Sequence, residues 1–528
     1  MRQHWTRKCW IVGMVLCLCL CLGTPLSKVW AADEDPVSTQ DSAILLMYDS
    51  MGVGTPEEGN IEALERVLAA FGAQVTVTSF DSYEAGTLAK YKKVIAVRNA
   101  ADLTMLPEQY EEDFAAYHGA YMHIGAHLPE ASRQQLQLEE DQTVNDTINL
   151  TIGQLSQSSV PVQNMSYITN YSGTSYGSVT SEALGRSVPF GIMNGNVAYI
   201  PYMVKGNVSE LGISYVLKDW LGITSATHQY VVFHDIYPFS DLDMLSDMAD
   251  KLYDAGIPFI VSVQPVLSHL DYPSMTRYLE TLKHVQSRNG SIVVNAPVVA
   301  STITQDMTVL KSEMSAFLDA LAGYGVVPLG IGTELYWTFD QHYAADGLTF
   351  FDSGIVFPNE RVLARNPSNT SRAFATSIYT IGEADLELYT KDQQIRNPLP
   401  MNTAVVYAFP TDKKGLQVLM DKLQSDWTAY SDYKNETHRV QTDTNKMESK
   451  SGHLSVNGQS IQMNDAMQDV SAEHVYVDEG KKSLTTLFSV QNNIFIVLIL
   501  STLLIFVAFL IIGYRLYKRK YTNYRREL

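Results

Sequence analysis

From Ser42 the chain alternates short apolar runs with amphipathic stretches. "AILLMYD" reads as a buried strand, "SMGVGTPEEGN" as a loop, "IEALERVLAAFG" as an amphipathic helix and "AQVTVTSF" as a second strand. "YKKVIAVRN" and "GAYMHIGAH" add two more strands, with the helix "EQYEEDFAAY" between them. This alternation predicts a doubly wound parallel α/β sheet from Ser42 to about Leu128. Between about Glu130 and Gly222 the sequence is polar and rich in Ser, Thr, Asn and Gly, with alternating pieces such as "NVAYIPYMV". That pattern predicts β-rich material completing a first domain over residues 42–222.

A second alternation begins near His228. "YVVFHD", "IPFIVSVQPV", "SIVVNAPVV", "VVPLGIG", "DSGIVFP" and "NTAVVYAFP" read as strands. "DLDMLSDMADKLYDAG", "SMTRYLETLKHVQSRNG", "DMTVLKSEMSAFLDALAGYG" and "KKGLQVLMDKLQSDW" read as helices. The short links between them predict a (β/α) barrel-like domain over 228–430, with its chemistry at the C-terminal ends of the strands. Residues 431–493 turn polar, and "HLSVNGQSIQMND" offers a hairpin around Asn457-Gly458, so this stretch reads as a stalk carrying a small β element.

The two ends read differently. Residues 494–514 are an uncharged apolar run of 21 residues, enough for one transmembrane helix. The tail 515–528 carries Arg515, Lys518, Arg519, Lys520, Arg525 and Arg526, a cluster expected to stay cytoplasmic and leave the preceding chain outside. Residues 1–31 read as a secretory signal peptide, with Arg2, Arg7 and Lys8 ahead of the apolar Cys9 to Leu22 and small residues up to Ala31. All four cysteines lie inside that leader, so the exported part has none. An exported protein of this size without disulfides favours a bacterial cell surface. Eight N-x-[ST] sequons lie between Asn145 and Asn435, in a chain where Asn, Ser and Thr are abundant.

Charge narrows the partners. The chain has 38 basic and 57 acidic residues; without the leader and the tail, 28 basic face 56 acidic. A surface so acidic repels nucleic acid and anionic polymers and at most favours cationic partners such as amine-bearing sugars or bound divalent ions; the plainer reading is solubility outside a cell.

The first sheet is similar in general shape to flavodoxin and class I glutamine amidotransferase domains. The amidotransferase activity needs a nucleophilic cysteine, which the exported chain lacks. The loop "DSMGVGTPEEGN" follows the first strand, where such sheets bind ligands, yet its glycines do not fit G-x-G-x-x-G. A structural or docking role is therefore expected for this domain.

The order "VVFHDIYPFSDLDMLSDMADKLYDAGIPFIVSVQPV", a helix, then "NGSIVVNAPV" resembles the polysaccharide deacetylase (NodB-homology) family, in a divergent, membrane-linked branch. The likeness covers roughly residues 228–430. In that family the first strand ends in two aspartates, a general base and a metal ligand, and a later strand ends in H-x-x-x-H. Here the first pair is His234 and Asp235, and the histidine positions fall on Asn295 and Val299. Valine cannot bind a metal, and one carboxylate alone holds a divalent ion weakly. Asp235, His269 and Glu334 could form a rebuilt site, with His342 close behind.

A histidine can act as general base, so His234 keeps open an active esterase that would use zinc or another divalent metal. The plainer reading is that His234 and Asp235 end a strand and hydrogen-bond nearby loops. Tyr336 and Trp337, with Phe339, suit either a sugar platform at the barrel mouth or the core, and Asn295 and Glu334 are candidate substrate contacts. Three readings remain: a degenerate deacetylase-like protein that binds or guides an envelope or extracellular polysaccharide with no cofactor, a metal-dependent N-deacetylase, and a scaffold for a membrane protein partner.

Overall fold

The computed structural model describes residues 43–298, 307–359, 368–390, 396–425, 429–462 and 485–523. The signal-peptide reading and Val299 lie outside them. The chain divides into two compact units, residues 1–470 and 471–528.

The first unit opens with β1 (Ala43–Tyr48), α1 (Asn60–Ala70), β2 (Gln74–Ser79), β3 (Lys93–Arg98), α2 (Glu108–Ala115) and β4 (Ala120–Gly125). Next come α3 (Glu130–Leu136), β5 (Glu139–Gln142), β6 (Asn145–Ile152), β7 (Leu155–Gln163), β8 (Ser166–Asn170) and β9 (Thr174–Tyr176). This half ends with β10 (Ser178–Ser181), β11 (Ser187–Val188), β12 (Gly191–Asn194), β13 (Val197–Ile200) and α4 (Val208–Leu221). The main sheet runs β2-β1-β3-β4-β13-β12-β9. Its first five strands are parallel; the alternation predicted four of them, and β13 comes from the stretch read only as β-rich. Ile44, Leu45, Leu46 and Met47 are all buried, which is the signature of a strand covered on both faces. Strands β6, β7, β10 and β11 form a separate antiparallel sheet.

Helix α4 is an addition to the expected β-rich stretch, although both its ends are signalled locally. Asn207 Oδ1 accepts from Ser209 N at 2.8 Å, and Glu210 Oε2 accepts from Gly206 N at 2.9 Å. Gly222 closes the helix at φ 76°, a conformation open to glycine.

The second half of the unit is a closed barrel of seven parallel strands. In chain order these are β14 (Gln229–Ile236), α5 (Leu242–Asp254), β15 (Phe259–Val263), α6 (Pro273–Ser287), β16 (Gly290–Asn295), α7 (Thr308–Gly323) and β17 (Pro328–Glu334). There follow α8 (Leu335–Thr338), α9 (Gln341–Asp346), β18 (Ser353–Phe357), β19 (Thr376–Gly382), α10 (Glu383–Tyr389), β20 (Thr403–Tyr407) and α11 (Lys413–Ser425). Six of the strands match the apolar runs of the sequence; β19 is the seventh.

The expected division into two domains gives way to one body. Helix α1 packs on β18 and β19 as well as on its own sheet, and one apolar core runs through both halves. Arg66 of α1 donates to Thr380 O at 3.0 Å, lies over the Tyr379 ring at 4.1 Å and sits 3.9 Å from Glu210 Oε1. The Tyr379 hydroxyl donates to the same Glu210 oxygen at 2.8 Å. The β18–β19 link also pairs with the edge strand β2: Val77 N donates to Asn369 O at 2.7 Å and Ser371 N to Val75 O at 2.9 Å. An edge that would otherwise be open to another chain is thereby closed.

The expected stalk is also corrected. Strands β21 (His438–Gln441), β22 (Lys446–Lys450), β23 (His453–Val456) and β24 (Gln459–Ser460) form an antiparallel sheet with the predicted hairpin at Asn457-Gly458. Its apolar residues Val440, Met447 and Leu454 join the main core. The sheet covers the N-terminal ends of the barrel strands: Tyr433 packs edge-on against Tyr230, and His438 Nδ1 lies 2.8 Å from Ser353 Oγ. Because His438 Nε2 meets the Tyr433 carbonyl at 2.7 Å, Nε2 carries the proton and Nδ1 accepts from Ser353.

The second unit contains α12 (Thr485–Asn523). Within it Phe495–Arg519, 25 residues, is long and apolar enough to cross a membrane.

Two predictions follow from this packing. Replacing Arg66 with Met leaves Glu210 without its cation and is expected to cost roughly 2 kcal/mol, with both halves still melting in one calorimetric transition. Separate transitions would refute the shared core. Burial also holds His438 at a pKa of about 4 and His123 at about 3, against an ordinary 6.5. The unfolded chain then binds more protons below pH 6.5, so this stability is whole above about pH 7 and is lost as pH falls. Between pH 6.5 and 5.5 each histidine should remove roughly 1 kcal/mol. Melting curves of the full chain should show a flatter pH dependence for His438→Gln.

Candidate functional site

The motif "YVVFHDIYPF" ends at the C-terminal rim of the barrel. Phe233 pairs with Val261 and Ile236 with Val263, so β14 carries one extra residue there. Asp235 takes up the bulge with φ 61°, a left-handed conformation that non-glycine residues adopt at a cost. Tyr278 of α6 pins the bulge from below: its buried hydroxyl lies 3.2 Å from Ile236 O and 3.3 Å from Gln264 O. Burial raises that phenol far above its ordinary pKa, so it stays a neutral donor.

The carboxylate is held by amides. Asp235 Oδ1 accepts from Gln264 Nε2 at 2.9 Å and from Asn295 Nδ2 at 3.5 Å, and His234 Nε2 stands 3.5 Å away. The other end of the Asn295 amide accepts from the Ser262 hydroxyl. The His234 ring stacks on Phe357 at 4.0 Å. Gly332 completes this layer, because a Cβ there would sit 2.7 Å from Asn295 Oδ1 and 2.8 Å from the Phe357 ring. His234, Ser262, Asn295 and Phe357 therefore fill the top of the barrel.

The structure brings His234, Asp235 and Asn295 together. Among the described residues no group of three or more His, Cys, Asp or Glu side chains could hold a metal, so Asp235, His269 and Glu334 do not form the rebuilt site. Asp235 is met by amide donors, Gln264 Nε2 and Asn295 Nδ2, which cannot serve as metal ligands through those nitrogens. His269 is exposed and stacks on Tyr272 at 4.6 Å, and His342 is exposed on α9. Glu334 ends β17 and precedes α8.

The aromatic candidates are corrected toward the core. Tyr336 and Trp337 are 3% and 1% exposed, and Trp337 stacks on Tyr343 at 4.0 Å beneath the rim. The rim aromatics lie elsewhere. Phe239, 83% exposed, stacks on Tyr237 at 4.8 Å in the β14–α5 loop, and Tyr272, 45% exposed, carries His269 just ahead of α6. Phe239 stands beside Pro238 and Ser240 in a turn-rich link, which was the available signal that its ring would be outside.

No protein family model and no curated protein matches the chain. Among solved structures, a truncated form of 3-deoxy-D-arabino-heptulosonate 7-phosphate synthase from Thermotoga maritima is similar over 39% of this chain and 88% of that one, at 10% identity and a TM-score of 0.21. Phospho-2-dehydro-3-deoxyheptonate aldolase from the same organism is similar over 39% and 72%, at 9% identity and a TM-score of 0.20. Likenesses this slight carry no argument about the site.

The left-handed bulge yields a pair of outcomes. Asp235→Gly relieves the backbone while losing the amide contacts, so stability should stay within about 1 kcal/mol. Asp235→Val, with a branched Cβ at the same φ, should cost roughly 2 kcal/mol or more. Chemical denaturation of both variants measures the difference, and equal costs would contradict the strain.

Proposed function

We propose that this chain is a membrane-anchored cell-surface protein, deacetylase-like in its barrel, that binds a neutral or amine-bearing polysaccharide without hydrolysing it. The apolar span followed by basic residues supports an orientation with the folded unit outside. The acidic balance supports a polymer that is not an anion.

One observation carries the reading. The rim sets a polar centre, Asp235 with Gln264 and Asn295, on a barrel whose loops also expose the stacked pairs Tyr237–Phe239 and His269–Tyr272. Exposed aromatic faces stack on the C–H faces of sugar rings, and fixed amides and carboxylates take their hydroxyls. Hydrolysis would need an activated water, and the residues that would hold a metal for it are replaced by Asn295 and Val299.

Binding of N-acetylated and de-N-acetylated polysaccharides to the full chain in lipid nanodiscs tests this reading. Phe239→Ala and Tyr272→Ala should each weaken binding roughly tenfold, on the order of 1.4 kcal/mol, and no acetate should be released. Stoichiometric zinc that disappears in Asp235→Ala, together with acetate release, would replace the proposal with an active esterase. Retention of a membrane protein with no glycan binding would replace it with a scaffold.

A further inference from the structure

The first sheet ends in a cavity of about 620 Å³ at the C-terminal edge of its parallel strands, a size usual for small-molecule sites. It opens beside the point where β1 and β3 lead in opposite directions across the sheet, the place where open α/β sheets bind ligands. Its shape is built into the chain. Gly125, at φ 93°, lets β4 close against β3, since a Cβ there would lie 2.3 Å from Arg98 O. Asp49 pins the opposite loop by accepting from Asn99 N at 2.9 Å and Ala100 N at 3.3 Å.

The lining chooses among ligands. Among the described residues its one cation, Arg98, is 3% exposed and already engaged, with Nε 3.0 Å from Asp49 Oδ2 and a further bond to the Leu103 carbonyl. The other charged groups on the wall are the carboxylates of Glu57 and Asp102. A phosphate or carboxylate ligand would meet repulsion with no free positive partner. The remaining polar wall consists of hydroxyls and amides, among them Ser50, Thr55, Gln163 and Asn164, with the Tyr202 ring as an apolar face. Two of the segments that supply the wall, those after β1 and β3, lead into the exposed Val53 and Met105, 78% and 90% accessible, so the polar cavity has apolar side chains on its flanks.

The geometry points to a second binding site, in the first sheet, for a neutral polyhydroxylated ligand of one or two sugar rings. Amides and hydroxyls pair with the ligand's hydroxyls, and Tyr202 and the flanking apolar side chains pack on its C–H faces. This site is separate from the barrel rim and stands or falls without it.

Calorimetry and saturation-transfer NMR on the full chain in nanodiscs, free of glycosidic detergent, test the assignment. The probes are glucose, galactose, mannose, N-acetylglucosamine and their β-1,4-linked disaccharides, against glucuronate and inorganic phosphate. At least one neutral sugar should bind, and the two anions should bind at least tenfold more weakly. Ala101→Trp, which fills the cavity from an exposed position, should abolish binding. Gln163→Ala, which removes an amide without adding bulk, should weaken it three- to tenfold at unchanged melting temperature. Phe239→Ala on the barrel rim should leave it unaltered. The assignment is overturned if no neutral sugar binds, if an anion binds better, if both cavity variants bind as the parent does, or if Phe239→Ala removes the binding.

Discussion

Helix α1 is shared. The first sheet needs it to cover one face, and it packs on the barrel at β18 and β19, whose connecting link has no helix among the described residues. A sheet face left bare would expose a wide apolar surface, so neither half could keep its structure alone. The sharing also sets direction. As the crossover between parallel β1 and β2, α1 runs opposite to both; Arg66 beside Thr380 and Gly72 beside Phe374 show that it runs opposite to β19 too. The C-terminal edges of the two sheets consequently open at the same end of the helix.

That arrangement brings the barrel rim and the cavity of the first sheet to one side of the unit, and the β21–β24 sheet covers the barrel's other end. A barrel closed below by an apolar plug and dressed above by bulges, amides and exposed rings concentrates its chemistry on a single face.

Much of this was legible in the residues, and the exceptions have physical reasons. Continuous apolar runs gave six barrel strands and three parallel strands of the first sheet because both faces of each are buried, while the edge strand β2 showed as an alternation with only Val75 fully buried. Strand β19 escaped notice because it reads Thr-Ser-Ile-Tyr-Thr-Ile-Gly, its polar positions serving the contact with α1 through Tyr379 and Thr380. The stretch after 430 looked like a stalk because its alternation is diluted by polar outward positions, although Val440, Met447 and Leu454 reach the core. At the rim, the position of His234 and Asp235 at the end of a barrel strand could be read from their place at the end of an apolar run. Among the aromatics, Phe239 has a local signal in its flanking Pro238 and Ser240, whereas nothing in the sequence beside Trp337 marks what folds over it.

The extra residue in β14 settles a matter of parity. In a regular strand neighbouring side chains point to opposite faces, so of two adjacent polar residues one would be turned away from the rim or Ile236 would lose its place inside. The bulge resets the count, letting His234 reach Phe357 and Asp235 reach Asn295 while Ile236 stays fully buried. Any chain that gains or loses a single residue in this strand would exchange inside for outside, so length at this point is held as tightly as residue identity.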